Sequence, residues 1–548
     1  MLPFVAYISS ESIKPVPLNY KNRAAHAVNT LGAFLGRNLQ GKNVTIGVGD
    51  AGDASTHIDL KGRQITKGGL SAVNHSTHVT GSIAGAGLIN PKYKGMAPQA
   101  TVINDNYDLI LTNTPAYVSE YNMVLTNNSY SGGKVSCASP GDYNTGSIYV
   151  DEQLNNIPAI LHVFAAGNYA DDTICAPYPG PFATMGSGYQ SAKNVLTVGA
   201  IDNSSYTIAN FSSCGPVSDG RIKPEITAGG WAITSTLPNN KYGVDWGTSM
   251  AAPTATGILG LVVERYRQLH GGSNPSSTLI KAVACNGAVD EGNPGPDYIY
   301  GFGNINARNS VEAIENHTYF TGSIGNGSSA TFTIPAVAPG TAQIKVLLYW
   351  NDPAAFTGAA TALVNDLDLT VAAPGAILHH PLVLDPSPAN VNNIAVEGID
   401  SRNNFEQVVI NNPPAGNFTI TVNGTGIAQG PQDIVVVYQV IQPAVTVEYP
   451  FGNETLAPSE PEIIRWNATD ANTNTFTIEY TFDNGSTWTT IDNNVAATSR
   501  NYTWTVPASA ATGTALIRVS RNGTAYSDVS DYNFTILGVP AVTLNDSC

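Results

Sequence analysis

Apolar residues follow two different rhythms along the chain. Before about residue 315 they gather in continuous runs at 44–48, 100–104, 123–126, 160–165 and 195–198. A run that is apolar at every position predicts a strand buried on both faces. Between the runs, 22–35, 77–86 and 150–155 carry helical periodicity. Alternating strands and helices predict an α/β domain, a parallel sheet flanked by helices. Beyond 316 the helical pattern stops. Short alternating stretches at 330–334, 342–349, 367–371, 407–410, 418–422 and 434–439 are punctuated by Gly, Pro and Asn. That spacing predicts an antiparallel β-sandwich or jelly roll. A second such series runs over 445–537, after Pro443, and contains the hairpin signal Asp483-Asn484-Gly485. It predicts an immunoglobulin- or fibronectin-like β-sandwich. The expected organisation is therefore an N-terminal strand region over 1–20, an α/β domain over 21–315, a β-barrel or jelly-roll domain over 316–443, a β-sandwich over 444–537, and the start of a truncated further segment over 538–548.

Composition narrows the function. The 548 residues hold 25 Lys+Arg against 41 Asp+Glu, a formal net charge of −16. Phosphate contacts and anionic membrane surfaces both call for cations, so no nucleic-acid partner is expected. The longest apolar run of the helical region, 258–263, stops at Glu264 and Arg265, short of the roughly 18 residues of a membrane span. Residues 1–4 have neither the basic start nor the apolar core of an export signal, so export would rely on a signal outside this sequence. None of the five Cys stands at metal-ligand spacing. Cys137 and Cys175 lie in polar, loop-like sequence and are candidates for a disulfide. Cys285 sits in an apolar run and is expected to be a buried thiol.

Three segments carry candidate chemistry. The run 44–48 leads into Gly49-Asp50-Ala51-Gly52, setting an Asp at the C-terminal end of a strand, where open α/β sheets gather functional groups. An Asp there serves as readily as a turn cap. Asn74-His75-Ser76-Thr77-His78 puts two His three apart at the start of a helix of small residues. No acidic or Cys partner stands nearby to complete a metal site. Gly247-Thr248-Ser249-Met250-Ala251-Ala252-Pro253 opens an apolar-periodic helix. Ser249 then lies at a helix N-terminus, which favours developing negative charge; alone, it would be read as an N-cap. Their chain order, Asp then His then Ser, belongs to one of the unrelated folds that share the hydrolytic triad.

These segments resemble the motifs of the subtilisin-like serine proteases, the subtilases. The serine motif matches throughout, Asp50-Ala51-Gly52 fits the Asp-x-Gly motif, and His75-Ser76-Thr77-His78-Val79 departs from the histidine motif only at Ser76, where the family has Gly. Ala165-Ala166-Gly167-Asn168 matches the segment that carries the oxyanion-hole Asn. The resemblance covers roughly residues 40–315 and implies a subtilisin-like fold there. It implies Ser249 as nucleophile, His75 rather than His78 as general base, Asp50 as its orienting carboxylate, and Asn168 with the Ser249 N–H as the oxyanion hole. His57 falls at a position the family uses structurally. Ser129-Tyr130-Ser131-Gly132 resembles the edge strand lining the cleft, with Tyr130 and Ser131 near the usual Leu and Gly. Ala165, Ala166 and Gly167 would line the other wall of the first specificity pocket. Substrate is expected to bind as an extended strand. Residues 3–11 resemble the last strand of a subtilase propeptide, with processing after Ile8, though an ordinary N-terminal strand explains them equally.

No cofactor is implied for catalysis. The calcium loop that many subtilases carry after the His helix would fall at 88–93, where Pro91 and Lys92 depart from it. Asp366 and Asp368, alternating with Leu367 and Leu369, together with Asp400 and Asn403, offer oxygen ligands for a structural Ca²⁺. They would serve as well as a solvated surface. Residues 342–440 also resemble the calcium-binding C-terminal β-barrel domain of certain alkaline subtilases. The chain is thus expected to be a secreted or cell-surface bacterial serine endopeptidase, monomeric, acting on proteins or peptides and on its own propeptide. Two rivals stand beside this. One is an inactive subtilase fold that binds a surface or polymer; the intact set Asp50, His75, Asn168 and Ser249 argues against it. The other processes only itself, for which Ser76 and the altered edge strand leave room.

Overall fold

The computed structural model describes residues 19–33, 36–131, 135–357, 359–470, 472–508 and 512–538. The propeptide-like strand up to residue 18, Gly132 of the cleft edge, and 539–548 with Cys548 lie outside the described residues. Two short helices come first, α1 (Asn19–Ala25) and α2 (Val28–Gly32). The sequence pattern predicts one helix here; the chain instead breaks at Ala27, whose φ is 54°. The neighbouring His26 is drawn inward: its Nδ1–H donates to the Ile305 carbonyl at 2.8 Å and its Nε2 accepts from Gly229 N–H at 2.9 Å. Burial pulls its pKa down to about 4, so it serves as a neutral link.

Seven strands form a wholly parallel sheet: β1 (Thr45–Asp50), β2 (Gln64–Thr66), β3 (Thr101–Asn106), β4 (Met123–Asn128), β5 (Leu161–Ala165), β6 (Leu196–Ile201) and β7 (Ile226–Gly229). Their spatial order is β2-β3-β1-β4-β5-β6-β7. All five apolar runs of the sequence are strands of this sheet. β2 and β7 escaped the pattern because they are short, and β2 is only half-buried. Alternate residues feed two cores. Ile46, Val102 and Val163 face one side and Ile103 and Phe164 the other. The first side is covered by α3 (Asn74–Ala84) and by α6 (Thr248–Leu269), a 22-residue helix buried along most of its length. The second is covered by α4 (Tyr107–Tyr121) and α5 (Thr145–Asn156). The strand order reverses about β1, which opens a crevice at the C-terminal ends of β1, β4 and β5. A hairpin, β8 (Ile233–Leu237) and β9 (Lys241–Asp245), leads into α6, and α7 (Ser277–Gly287) and α8 (Ala307–Glu315) follow it.

Antiparallel strands then take over. β10 (Tyr319–Ile324), β12 (Gln343–Tyr349), β17 (Phe405–Asn411) and β19 (Gln432–Ile441) form one four-stranded sheet. β11 (Ser329–Val337), β13 (Asn365–Ala373), β14 (Ile377–His379) and β18 (Gly416–Ile427) form another, while β15 (Leu382–Val383) and β16 (Val396–Glu397) pair as a small ribbon. The two larger sheets share a core that includes Ile344, Leu367, Trp350 and Phe418. The outward residues of the first sheet, among them Leu347, Tyr349 and Val437, join the same apolar cluster as α7. Further strands over 445–536, antiparallel except where 455–456 pairs in parallel with 535–536, enclose a separate core around Trp466, Phe476 and Trp504.

Candidate active site

β1 delivers Asp50 to the crevice and buries it, with 3 % of its side chain exposed. Its Oδ1 accepts from Ala51 N–H at 2.7 Å. After extended Val73, α3 begins and its first turn carries His75. His75 Nδ1 meets Asp50 Oδ2 at 2.8 Å. A carboxylate only accepts, so Nδ1 carries the proton and Nε2 keeps its lone pair. The imidazole is 39 % exposed, so its free edge is reachable while its anchor is not. Burial lowers the pKa of His75, but the Asp50 hydrogen bond and the charges of Asp50 and Asp245 outweigh it and hold the pKa above the ordinary value.

The other two His of this region are structural. His78, one turn on, is buried; its Nε2 meets the Ile233 carbonyl at 3.0 Å, and burial pulls its pKa to about 4. His57 Nδ1 accepts from Asp59 N–H at 3.1 Å and its Nε2 meets the Lys241 carbonyl at 3.2 Å. Ser76 is fully buried and its hydroxyl has no partner among the described residues.

Ser249 occupies the first turn of α6. Gly247 precedes the helix with φ +136°, and a Cβ there would stand 3.1 Å from Asn168 Nδ2, so glycine lets the turn and the amide share this space. Pro253 has no N–H to offer the Ser249 carbonyl four residues back. That carbonyl accepts instead from the Ser129 hydroxyl at 2.8 Å, while Ser249 Oγ donates to the Ser129 carbonyl at 3.3 Å. The end of β4 thus grips the serine turn. Among the described residues no hydrogen bond closes from His75 to Ser249; in unliganded hydrolytic sites that contact is often long and tightens with substrate.

Asn168 follows the end of β5. Its Oδ1 accepts from Thr248 N–H and from the Thr248 hydroxyl, both at 2.9 Å. The backbone N–H can only donate, which fixes the amide's orientation and leaves Nδ2 as a donor. Thr248 Oγ1 in turn accepts from Gly167 N–H at 3.1 Å. This bridge was not singled out from the sequence, although Thr248 lies inside the serine motif.

The expected pocket residues divide. Ser129 holds the serine turn, while the Ser131 hydroxyl meets that of Tyr169. Tyr130 turns away: its ring lies against Phe164 and Tyr189, and Gln190 Nε2 donates to its carbonyl at 2.7 Å. Ala165, Ala166 and Gly167 are all buried, at and just beyond the end of β5, and Gly167 N–H donates to Thr248 Oγ1. Cys137 and Cys175 form a disulfide, and Cys285 is a buried free thiol.

The four oxygen-bearing residues considered for calcium make hydrogen bonds within the protein, with one oxygen left over. Asp400 accepts from Arg402 N–H, Asn403 N–H and the Asn403 amide, and Asn403 Oδ1 accepts from Ile222 N–H at 2.9 Å. Asp368 accepts from the Thr425 hydroxyl. Asp366 Oδ1 is buried without a partner; burial, then the charges of Asp368 and Asp400, push its pKa up to about 6. Among the described residues, no group of three or more His, Cys, Asp or Glu is arranged to hold a metal. No helix among them is long and apolar enough to cross a membrane.

Comparison with known proteins agrees with this geometry. A model of the Subtilase family matches residues 41–303. The chain is similar to serine protease AprX of Bacillus subtilis, 29% identical over 333 residues that cover 54% of this chain and 71% of AprX. It is similar to the major intracellular serine protease of the same organism, 30% identical over 283 residues, 47% of this chain and 79% of that protein. Subtilisin E of Bacillus subtilis is 29% identical over 295 residues, 48% of this chain and 66% of subtilisin E. With four-fifths of a bacterial serine protease aligned at 30% identity and the family model running across the segments that contain Asp50, His75 and Ser249, the chain belongs to the subtilase family of serine endopeptidases.

Proposed function

We propose that the protein cleaves peptide bonds of protein substrates through an acyl-enzyme on Ser249, and that it works outside the cytoplasm. A serine hydroxyl is a weak nucleophile until a base takes its proton. His75 Nε2 is that base: Nδ1 is held by Asp50, so the lone pair is left on the cleft side. Oγ bonds to the scissile carbonyl carbon as its proton passes to Nε2. The carbonyl oxygen becomes an oxyanion and takes hydrogen bonds from Asn168 Nδ2 and the Ser249 N–H. The C–N bond then breaks, and the imidazolium gives its proton to the leaving amine. Water repeats the sequence on the acyl-enzyme and restores Ser249. Asp50 keeps its hydrogen bond to Nδ1 and steadies the transient imidazolium.

The observation that carries this reading is the His75–Asp50 hydrogen bond at 2.8 Å, at the C-terminal end of the central strand β1. The disulfide between Cys137 and Cys175 supports an oxidising compartment, hence a secreted or cell-surface enzyme. Casein hydrolysis by wild type and Ser249→Ala tests the chemistry. The variant should lose at least about 10³-fold in kcat, leaving only what binding and the oxyanion donors supply; retained turnover in the variant would overturn the proposal.

A further inference from the structure

One of the protein's own side chains bridges the two segments that meet at Ser249. β4 and β5 pair in parallel with Asn128 opposite Phe164, so the segments leaving their ends, 129–131 and 166–169, run side by side. Ser249 lies at their junction, with its Oγ on the Ser129 carbonyl and Thr248 fastened to Asn168. The Tyr169 ring rests on the α-carbon of Gly167: a Cβ built at that residue, whose φ is +113°, would stand 3.0 Å from the ring's Cδ2 and Cε2. At the far end of the ring, the Tyr169 hydroxyl meets the Ser131 hydroxyl at 2.7 Å. The ring therefore reaches from one wall to the other. Its backbone is fixed as well, since Tyr169 N–H donates to Ser213 Oγ at 3.2 Å and Ala170 N–H to the Phe211 carbonyl at 3.1 Å. Farther along the same two segments, Cys137 and Cys175 are covalently joined.

We propose that Tyr169 determines specificity at the first subsite, a plug that reserves it for Gly, Ala or Ser on the N-terminal side of the scissile bond. The inference rests on the peptidase reading above and names its substrate class. The acyl carbon bonded to Ser249 must carry its side chain between these two walls. A small side chain fits beside the ring. An aromatic or branched one must displace the ring from Gly167 and break the hydroxyl pair, while the disulfide resists any parting of the walls.

Peptide 4-nitroanilides that differ only in that residue, Ala against Phe, test the proposal. Wild type should favour Ala over Phe in kcat/KM by at least about tenfold, the size of a modest packing mismatch. Tyr169→Ala should shrink that preference by at least about tenfold, chiefly through a lower KM for the Phe peptide. Ser131→Gly keeps the ring but removes this hydroxyl pair and should shrink the preference less. Equal wild-type rates on the two peptides, or a ratio that neither variant moves, would overturn the plug. Reaction of wild type with a fluorophosphonate separates the two levels. A labelled enzyme without the small-residue preference overturns the plug alone; an unlabelled one overturns the peptidase reading and the plug with it.

Discussion

At the scale of single residues, His75 sets the pH response. Its pKa is held above the ordinary 6.5 by Asp50 and Asp245 against the pull of burial. Only neutral imidazole can take the Ser249 proton, so kcat/KM should fall on the acid side with a midpoint above 6.5. Asp50→Asn removes the largest raising influence and leaves the burial. That limb should then move to lower pH, and kcat should drop by about 10⁴-fold; a pH–rate profile of the two proteins reads both. Stability runs the opposite way. A raised His pKa stabilises the fold most below the unfolded value and is lost as pH rises through the folded one. Asp50, His75, Asn168 and Ser249 were legible in the sequence because each sits in a short motif whose neighbours are also constrained. Tyr169 was not, because its role comes from Gly167 beneath it and from Ser131, which is distant in sequence. Nor did the place of Tyr130 in the edge motif show the aromatic cluster that its ring joins.

At the scale of elements, continuous apolar runs identified five of the seven parallel strands because both faces of those strands are buried. The break between α1 and α2 was hidden, since it comes from His26 bonding to residues brought close only by the fold. The loops after β4 and β5 are held by the Cys137–Cys175 disulfide, which spans a sequence separation of 38 residues. Replacing both Cys with Ala should lower unfolding free energy by about 2–5 kcal/mol, mainly through the freed unfolded chain. Denaturant unfolding measures this, and a change below about 0.5 kcal/mol would mean the bond adds no constraint.

At the scale of the whole molecule, the β-rich region is bound to the sheet-and-helix region by charges as well as by shared apolar contacts. Lys193, just before β6, pairs with Asp352, just after β12, and both side chains are fully buried. Lys193 Nζ also donates to the Ala362 carbonyl at 2.7 Å. Lys193→Met would leave Asp352 buried without its cation, at a cost of about 3–5 kcal/mol. Thermal melting should show one destabilised unit rather than an untouched α/β region; an unchanged melt would mean that the two regions are independent. None of this ionic seam was legible in the sequence, because its members are dispersed and each looks like an ordinary surface residue. The central claim, however, rests on one oxygen atom. Labelling the full chain with a fluorophosphonate and mapping the modified peptide tests it most directly. The account predicts a single adduct on Ser249, lost in Ser249→Ala and sharply slowed in His75→Ala. Labelling at another serine, or none on the folded wild-type protein, would contradict it.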